Sequence, residues 1–418
     1  VRLDVAPKTA TEVDLRFTQG PAVTFSVALS VADRDAVASG TPGDITYRLR
    51  TGRFDLGLDD LRIAGETDTP PVEAQFDLSL ASVDLSTRVT EGEMVGITSQ
   101  VSYGPMIYSY AVRSGGGAGQ RGAGRAEASQ GTSATVMPRG GPDLLNLGDA
   151  LRAGMAIAIE ASAGASLSQT VTSNAHMVTS QDTQTSLGGT QRLRFDASGL
   201  TIAGTLKGAG FSTADMTGFV EVAGQFGEVA WDWAMPVLAS DTRQPFRLGL
   251  TLRDLTLDDR VWARIDPGAA LPREALTFDL LAGGEVTLPF GLVDQAGWER
   301  IAASQEMPFE LNSAALERLE VKGLGLSGQA SAAFTFDNGD LLTFDGLPRP
   351  EGMASGTVEG AQALLDRLVA AGLLAPEDAF GARMALAFAF KAAGPDRAGS
   401  VLEVTPEGSV LLNGQRVR

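Results

Sequence analysis

The sequence predicts a mainly β fold, a β-rich α+β class of extended, twisted antiparallel sheets with a few covering helices. Three observations predict it. Apolar and polar residues alternate with a period of two along much of the chain, which puts one strand face on a core and the other in water. Glycine reaches 50 of 418 residues, far above the usual ~7%, and suits many tight turns and bulges. Aromatic residues are only 6% of the chain, so Val, Leu and Ala must build thin, extended cores.

Residues 1–113 read as an N-terminal β region. Ile45, Tyr47 and Leu49 alternate with Thr46, Arg48 and Arg50, and Phe76, Leu78 and Leu80 alternate with Gln75, Asp77 and Ser79. Tyr103, Tyr108 and Tyr110 cluster around Gly104-Pro105, which reads as a turn between two strand pieces, with the rings in cross-strand packing. Residues 114–142 are rich in Gly, Ala and Ser and read as a flexible loop and domain boundary. Residues 143–418 read as a C-terminal β-rich region with helices, continuous in one sheet with the N-terminal region or separate from it.

Within that region Asp143 reads as the N-cap of a helix over 143–153, with Leu144, Leu145, Leu147, Ala150 and Leu151 at helical spacing. Ser- and Thr-rich strands follow through 167–190, as solvent-facing β surface. From Trp231 to Arg273 the chain reads as a strand, a break at Pro236, a β run from Phe246 to Leu257, and a short helix at Val261–Ile265 capped by Asp258. Residues 294–303 suit a short amphipathic helix. Asn338-Gly339 is a two-residue hairpin signal. Helices over 359–371 and 376–392 follow, and a hairpin closes the chain at Arg418.

Composition narrows the chemistry. One histidine and no cysteine remove thiolate nucleophiles, disulfides and most metal sites. A net charge of -18 argues against a nucleic-acid backbone or an anionic membrane surface as partner. No apolar run approaches the ~18 residues of a bilayer span. The chain begins at Val1, so any signal peptide or anchor would lie upstream.

Individual motifs are weak. Gly117, Gly119 and Gly122 make a formal GxGxxG, as do Gly323, Gly325 and Gly328, but neither has the βαβ setting of a dinucleotide site. No cofactor is expected. His176 stands alone in a polar stretch and reads as a surface residue. Asp337, Asn338 and Asp340 lack the downstream Glu of a calcium loop. Trp231, Asp232 and Trp233 are the weak candidate ligand contacts. Tryptophans flanking a carboxylate suit a sugar-binding strand, and two carboxylates would suffice for glycan hydrolysis. The plainer alternative puts both tryptophans on one strand face and Asp232 in water.

Several marks recur as a set: Met235-Pro236-Val237 with Ser240-Asp241, Leu255, Asp259 and Trp262, Ile265-Asp266-Pro267, and Leu271-Pro272-Arg273. Phe334 to Asn338, Thr343 to Gly346, Leu364-Leu365-Asp366, Leu368-Val369, Gly372-Leu373-Leu374 and Asn413 to Arg416 continue it. From about residue 150 to the end, the chain resembles a family termed domain of unknown function 2125, found mainly in alphaproteobacteria. The resemblance implies an exported periplasmic or cell-envelope protein and carries over no catalytic residue. The expected function is non-catalytic: a binding or scaffold role, holding an apolar ligand such as lipid. The alternatives are a structural subunit of an envelope assembly, partnered by another envelope protein, and a carboxylate-based glycan hydrolase.

Overall fold

In a computed structural model the chain is mostly β, with 65% of residues in strands and 12% in helices, and its strands form one large antiparallel sheet that is not closed into a barrel. The structure describes residues 8–15, 23–63, 72–115, 117–174, 177–216, 220–304 and 309–418. His176 lies outside the described residues. Two compact units divide the chain. Unit 1 is Val1–Gly140, Ile157–Arg192 and Leu206–Gly224, and unit 2 is Gly141–Ala156, Leu193–Thr205 and Gln225–Arg418.

The strands that build unit 1 are β1 (Lys8–Leu15), β2 (Val23–Ala32), β3 (Asp35–Thr41), β4 (Asp44–Thr51), β5 (Arg53–Ile63), β6 (Val72–Leu80), β7 (Val83–Glu91), β8 (Met94–Tyr103), β9 (Met106–Ser114), β10 (Gly119–Ala126), β11 (Ser129–Pro138), β12 (Ala156–Ala163), β13 (Ser166–Ser173), β14 (Val178–Ser186), β15 (Gly188–Asp196) and β16 (Gly199–Asp215). They are halves of longer runs. β2 pairs with β5 while β3 pairs with β4. β5 pairs with β6 while β4 pairs with β7. β6 pairs with β9 while β7 pairs with β8. β9 pairs with β10 while β8 pairs with β11. Each long run is therefore interrupted at one common level, at 33–34, 52, 81–82, 104–105 and 127–128.

The interruption obeys a rule of register. On β6 the apolar set is even-numbered, Phe76, Leu78 and Leu80, whereas on β7 it is odd-numbered, Val83, Leu85 and Val89. On β8 it is odd and on β9 even. One extra residue at the break shifts the parity, so the apolar side chains stay on one face across the whole run. A bulge bends its strand, and a line of them bends a sheet. Thr51 and Ser129, on the apolar face at the break, are 6% and 8% exposed.

This arrangement corrects the reading of 114–142 as a flexible loop. β10 and β11 occupy most of that segment and are paired on the same terms as their neighbours. Gly119, Gly122, Gly124 and Gly131 are strand residues, and the small size of Gly122 and Gly124 is required by what lies over them, as shown below.

Unit 2 holds the end of β15, the first part of β16, most of β17 (Val220–Met235), and β18 (Ser240–Leu257), β19 (Leu276–Leu288), β20 (Glu310–Gly323), β21 (Leu326–Asp337), β22 (Arg349–Glu359), β23 (Lys391–Gly394), β24 (Arg397–Val404), β25 (Val410–Leu412) and β26 (Gln415–Arg416). Its helices are α1 (Leu147–Arg152), α2 (Asp259–Ile265), α3 (Gln295–Ser304), α4 (Ala361–Ala370) and α5 (Pro376–Ala389). Leu151 and Leu288 are 0% and 2% exposed, and Met155, Val237, Leu238 and Val286 are buried as well. Asp294 ties α1 to the segment after β19, its Oδ1 accepting from the Gly148 N–H at 2.8 Å. α2 starts as expected, with Asp258 accepting from the Arg260 N–H at 2.9 Å. It buries Val261 and Trp262.

Two local expectations need correction. Asn146, not Asp143, is the N-cap of α1. The Asp143 carboxylate instead closes a turn by accepting from the Leu145 N–H and Asn146 Nδ2 at 3.0 and 2.9 Å, a local bond that competes with helix initiation. Asn338-Gly339 is not a two-residue hairpin, because the β21–β22 ladder ends at the pair Asp337 and Arg349 and residues 338–348 make the connection. Arg349 reaches both Asp337 and Asp340, at 2.9 and 3.0 Å, and holds the longer loop shut. Those carboxylates serve Arg349 and backbone N–H groups in a structural turn.

Candidate functional site

The apolar face of unit 1 is built from side chains that stay half-buried. Register places Val27, Leu29 and Val31 of β2 beside Leu58, Leu56 and Phe54 of β5. These adjoin Phe76, Leu78 and Leu80 of β6, and those adjoin Tyr110, Tyr108 and Met106 of β9. Across the break the face continues with Leu49, Leu85 and Val101 on β4, β7 and β8. All of these side chains are half-buried. Among the described residues of unit 1, Ala223 alone is a buried apolar side chain. A face so rich in Leu, Val and Phe would ordinarily be closed by a second layer. Here it is left part-open, and apolar patches of this size mark interaction sites. At the break line a hollow of about 520 Å³ is lined by Ser82, Tyr103, Gly104, Ser129, Ala163 and Gly164 among others.

Two tyrosines bound the apolar zone. Tyr108 and Tyr110 lie across β10, over Gly124 and Gly122, and bond to β13 beyond it. The Tyr108 hydroxyl donates to Ser168 Oγ at 2.9 Å, and the Tyr110 hydroxyl lies 3.1 Å from Thr170 Oγ1. A Cβ on Gly124 would sit 2.5 Å from the Tyr108 ring. The glycine pair is thus the seat of the tyrosine pair. One glycine of the formal GxGxxG, Gly122, has this packing role, and β10 runs between β9 and β13 with no helix beginning on it. A pairing of Y-x-Y with G-x-G was visible in the sequence, and it is the signal that would have found the arrangement.

The candidate contacts in β17 alternate between the two faces of the strand. Asp232 lies beside Gly249 of β18, with its carboxylate 3.2 Å from Arg247. Trp231 and Trp233 alternate with it and face the other way, half-buried and 46% exposed respectively. Rings and carboxylate on opposite faces cannot flank one sugar ring.

The one strongly buried ion cluster in unit 2 was not anticipated. Asp279 is 3% exposed. It is met by Arg253 at 2.8 Å, Arg318 at 3.1 Å and the Thr251 hydroxyl at 3.2 Å. Burial pushes its carboxyl up, and the hydrogen bonds from Arg253 and Arg318 outweigh that, leaving it below the usual carboxylate range. These three bonds join β18, β19 and β20, which gives the cluster a structural role. No group of three or more His, Cys, Asp or Glu placed to hold a metal occurs among the described residues.

No helix among the described residues is long and apolar enough to cross a membrane. Comparison with protein-family models, curated proteins and solved structures finds no match to this chain.

Proposed function

We propose that this is a non-catalytic binding protein of the bacterial cell envelope that holds an apolar ligand of lipid type on the apolar face of unit 1. The observation that carries the reading is the part-open apolar face of unit 1, whose side chains stay half-buried among the described residues. Covering six half-exposed Leu, Phe or Val side chains recovers roughly 5 kcal/mol at about 0.8 kcal/mol each. The apolar surface that the ligand itself buries adds to this. The envelope location is part of the proposal and rests on the resemblance from residue 150 onward and on the absence of cysteine.

The test is uptake of a fluorescent fatty-acyl probe by the full chain. Leu78→Asp puts a charge in the middle of the face, and Gln75→Asp puts the same charge on the opposite face of the same strand. The first should abolish uptake and the second should leave it unchanged. Equal uptake by both variants, or none by the native chain, would refute the reading.

A second reading, a structural subunit of an envelope assembly, has one observation in its favour. α5 presents Phe380, Met384 and Phe388 at helical spacing, 64%, 57% and 73% exposed. Concentration-independent monomers in sedimentation velocity would exclude it.

A further inference from the structure

Unit 2 carries a hollow of its own, on the polar face of its sheet. It has a volume of about 770 Å³ and crosses five strands, from β20 over β21, β22 and β24 to β23. Four strand-to-strand steps of about 4.8 Å make such a trough roughly 19 Å long. Register sets its floor. Glu320, Gln329, Thr357, Gly399 and Lys391 stand opposite one another in turn, so they share one face. The next row on that face runs through Ser331, Ser355 and Val401. A bulge in β20 sets Glu317 and Arg318 together against Ser331.

From this lining we infer that unit 2 binds a short acidic oligosaccharide, laid across the strands with a terminal carboxylate at Lys391 and its neutral part on the hydroxyl and amide floor. The site is separate from the lipid site of unit 1 and does not rest on it. Four features select the ligand. First, the floor has hydrogen-bonding capacity to spare. The Ser331 and Ser355 hydroxyls lie 3.3 Å apart, and a hydroxyl donates once and accepts twice, so each has room for a sugar hydroxyl. The exposed Gln329 amide and Thr357 hydroxyl flank them. Second, a cation is held at one end. The Lys391 ammonium donates to the Asn413 carbonyl at 2.6 Å, and two of its three N–H groups remain for a carboxylate. Third, the other end is of mixed charge. Arg318 is held by Asp279 at 3.1 Å, and Glu320 is paired with Lys322. Glu317 beside them repels an anion and accepts from sugar hydroxyls, so the ligand's charge belongs at Lys391. Fourth, the floor strands offer no open ladder. β21 pairs with β20 and β22, and β22 with β21 and β24. β24 is closed by β23 at Gly399 and by Asn413, whose Oδ1 accepts from the Val401 N–H at 2.9 Å. A peptide added as a strand needs a free edge, whereas a sugar is read by side chains. Leu319 and Val401 are the only apolar side chains larger than alanine in the lining, too few to hold an acyl chain.

The experiment is a saturation-transfer NMR titration of the full chain at low ionic strength. The probes are cellobiouronic acid, which carries one terminal carboxylate, its neutral counterpart cellobiose, and tetra-alanine. Cellobiouronic acid should bind about tenfold more tightly than cellobiose, as one charge-assisted hydrogen-bonded contact implies. Lys391→Met should remove that preference and leave cellobiose binding unchanged. Ser355→Leu fills the floor and should abolish binding of both sugars. If Ser355→Leu does not fold, Lys391→Met decides, because Lys391 is an exposed residue. No transfer to either sugar would overturn the inference. So would equal affinity for the two sugars, a preference that survives Lys391→Met, or tighter binding of tetra-alanine than of cellobiouronic acid.

Discussion

Replacing Gly124 with alanine adds one methyl group where the Tyr108 ring already lies. The new Cβ would stand 2.5 Å from Cε1, Cζ and the hydroxyl oxygen of that ring, a full ångström inside ordinary contact. The ring must lift, and it then loses its 2.9 Å bond to Ser168. Overpacking of this kind costs about 1–3 kcal/mol. The half-buried hydroxyl bond is worth about 1 kcal/mol. Removing a strand glycine returns about 0.5–1 kcal/mol of backbone entropy. The net loss is about 2 kcal/mol, or about 4–8 °C in the melting transition of a unit of this size. Far-UV circular dichroism during thermal unfolding measures it. Gly328→Ala is the control, because a Cβ there meets nothing closer than 4.0 Å. It should be neutral or slightly stabilising. Tyr108→Leu removes the obstructing ring, so the double variant with Gly124→Ala should be less destabilised than the two singles summed. If Gly124→Ala melts like Gly328→Ala, the seat of the tyrosines is not what keeps this segment small.

Two further outcomes follow from unit 2. Leu151, 0% exposed, should cost about 2–5 kcal/mol on truncation to alanine, read as a lowered denaturant midpoint. Asp279→Asn should cost about 2 kcal/mol at neutral pH, less than a fully buried pair, because Arg253 and Arg318 are half exposed. Asp279 has its folded pKa below its unfolded one, so its contribution is full above the unfolded value of about 4 and is lost as pH falls through the lowered folded value. Melting curves of native and variant chains should therefore converge in acid. A gap that stays constant down to the lowest pH would contradict the ion cluster as described.

The strands were legible because period-two alternation is a direct record of a two-sided sheet. Phe76, Leu78 and Leu80 read correctly for that reason, and so did α2, whose Asp258 cap is a local signal. The segment 114–142 was not legible as strand because Gly122 and Gly124 stand where apolar side chains would mark the pattern. Their size is dictated by Tyr108 and Tyr110, which lie on the preceding strand and directly opposite them in register. Asn338-Gly339 carried a true turn signal, yet Arg349 fixed a longer loop by binding Asp337 and Asp340. The break line left its own trace, the change from even to odd apolar positions between Leu80 and Val83. It becomes meaningful only when the same shift recurs in each neighbouring run. Trp231 and Trp233 drew notice as rare residues, whereas the candidate site is built from common ones, which single no position out.

The most direct test of the account is native mass spectrometry of the chain purified gently from its own cells. The account predicts an adduct in the lipid mass range that disappears on organic extraction and is not retained by Leu78→Asp. A clean unliganded mass in the native chain would contradict it.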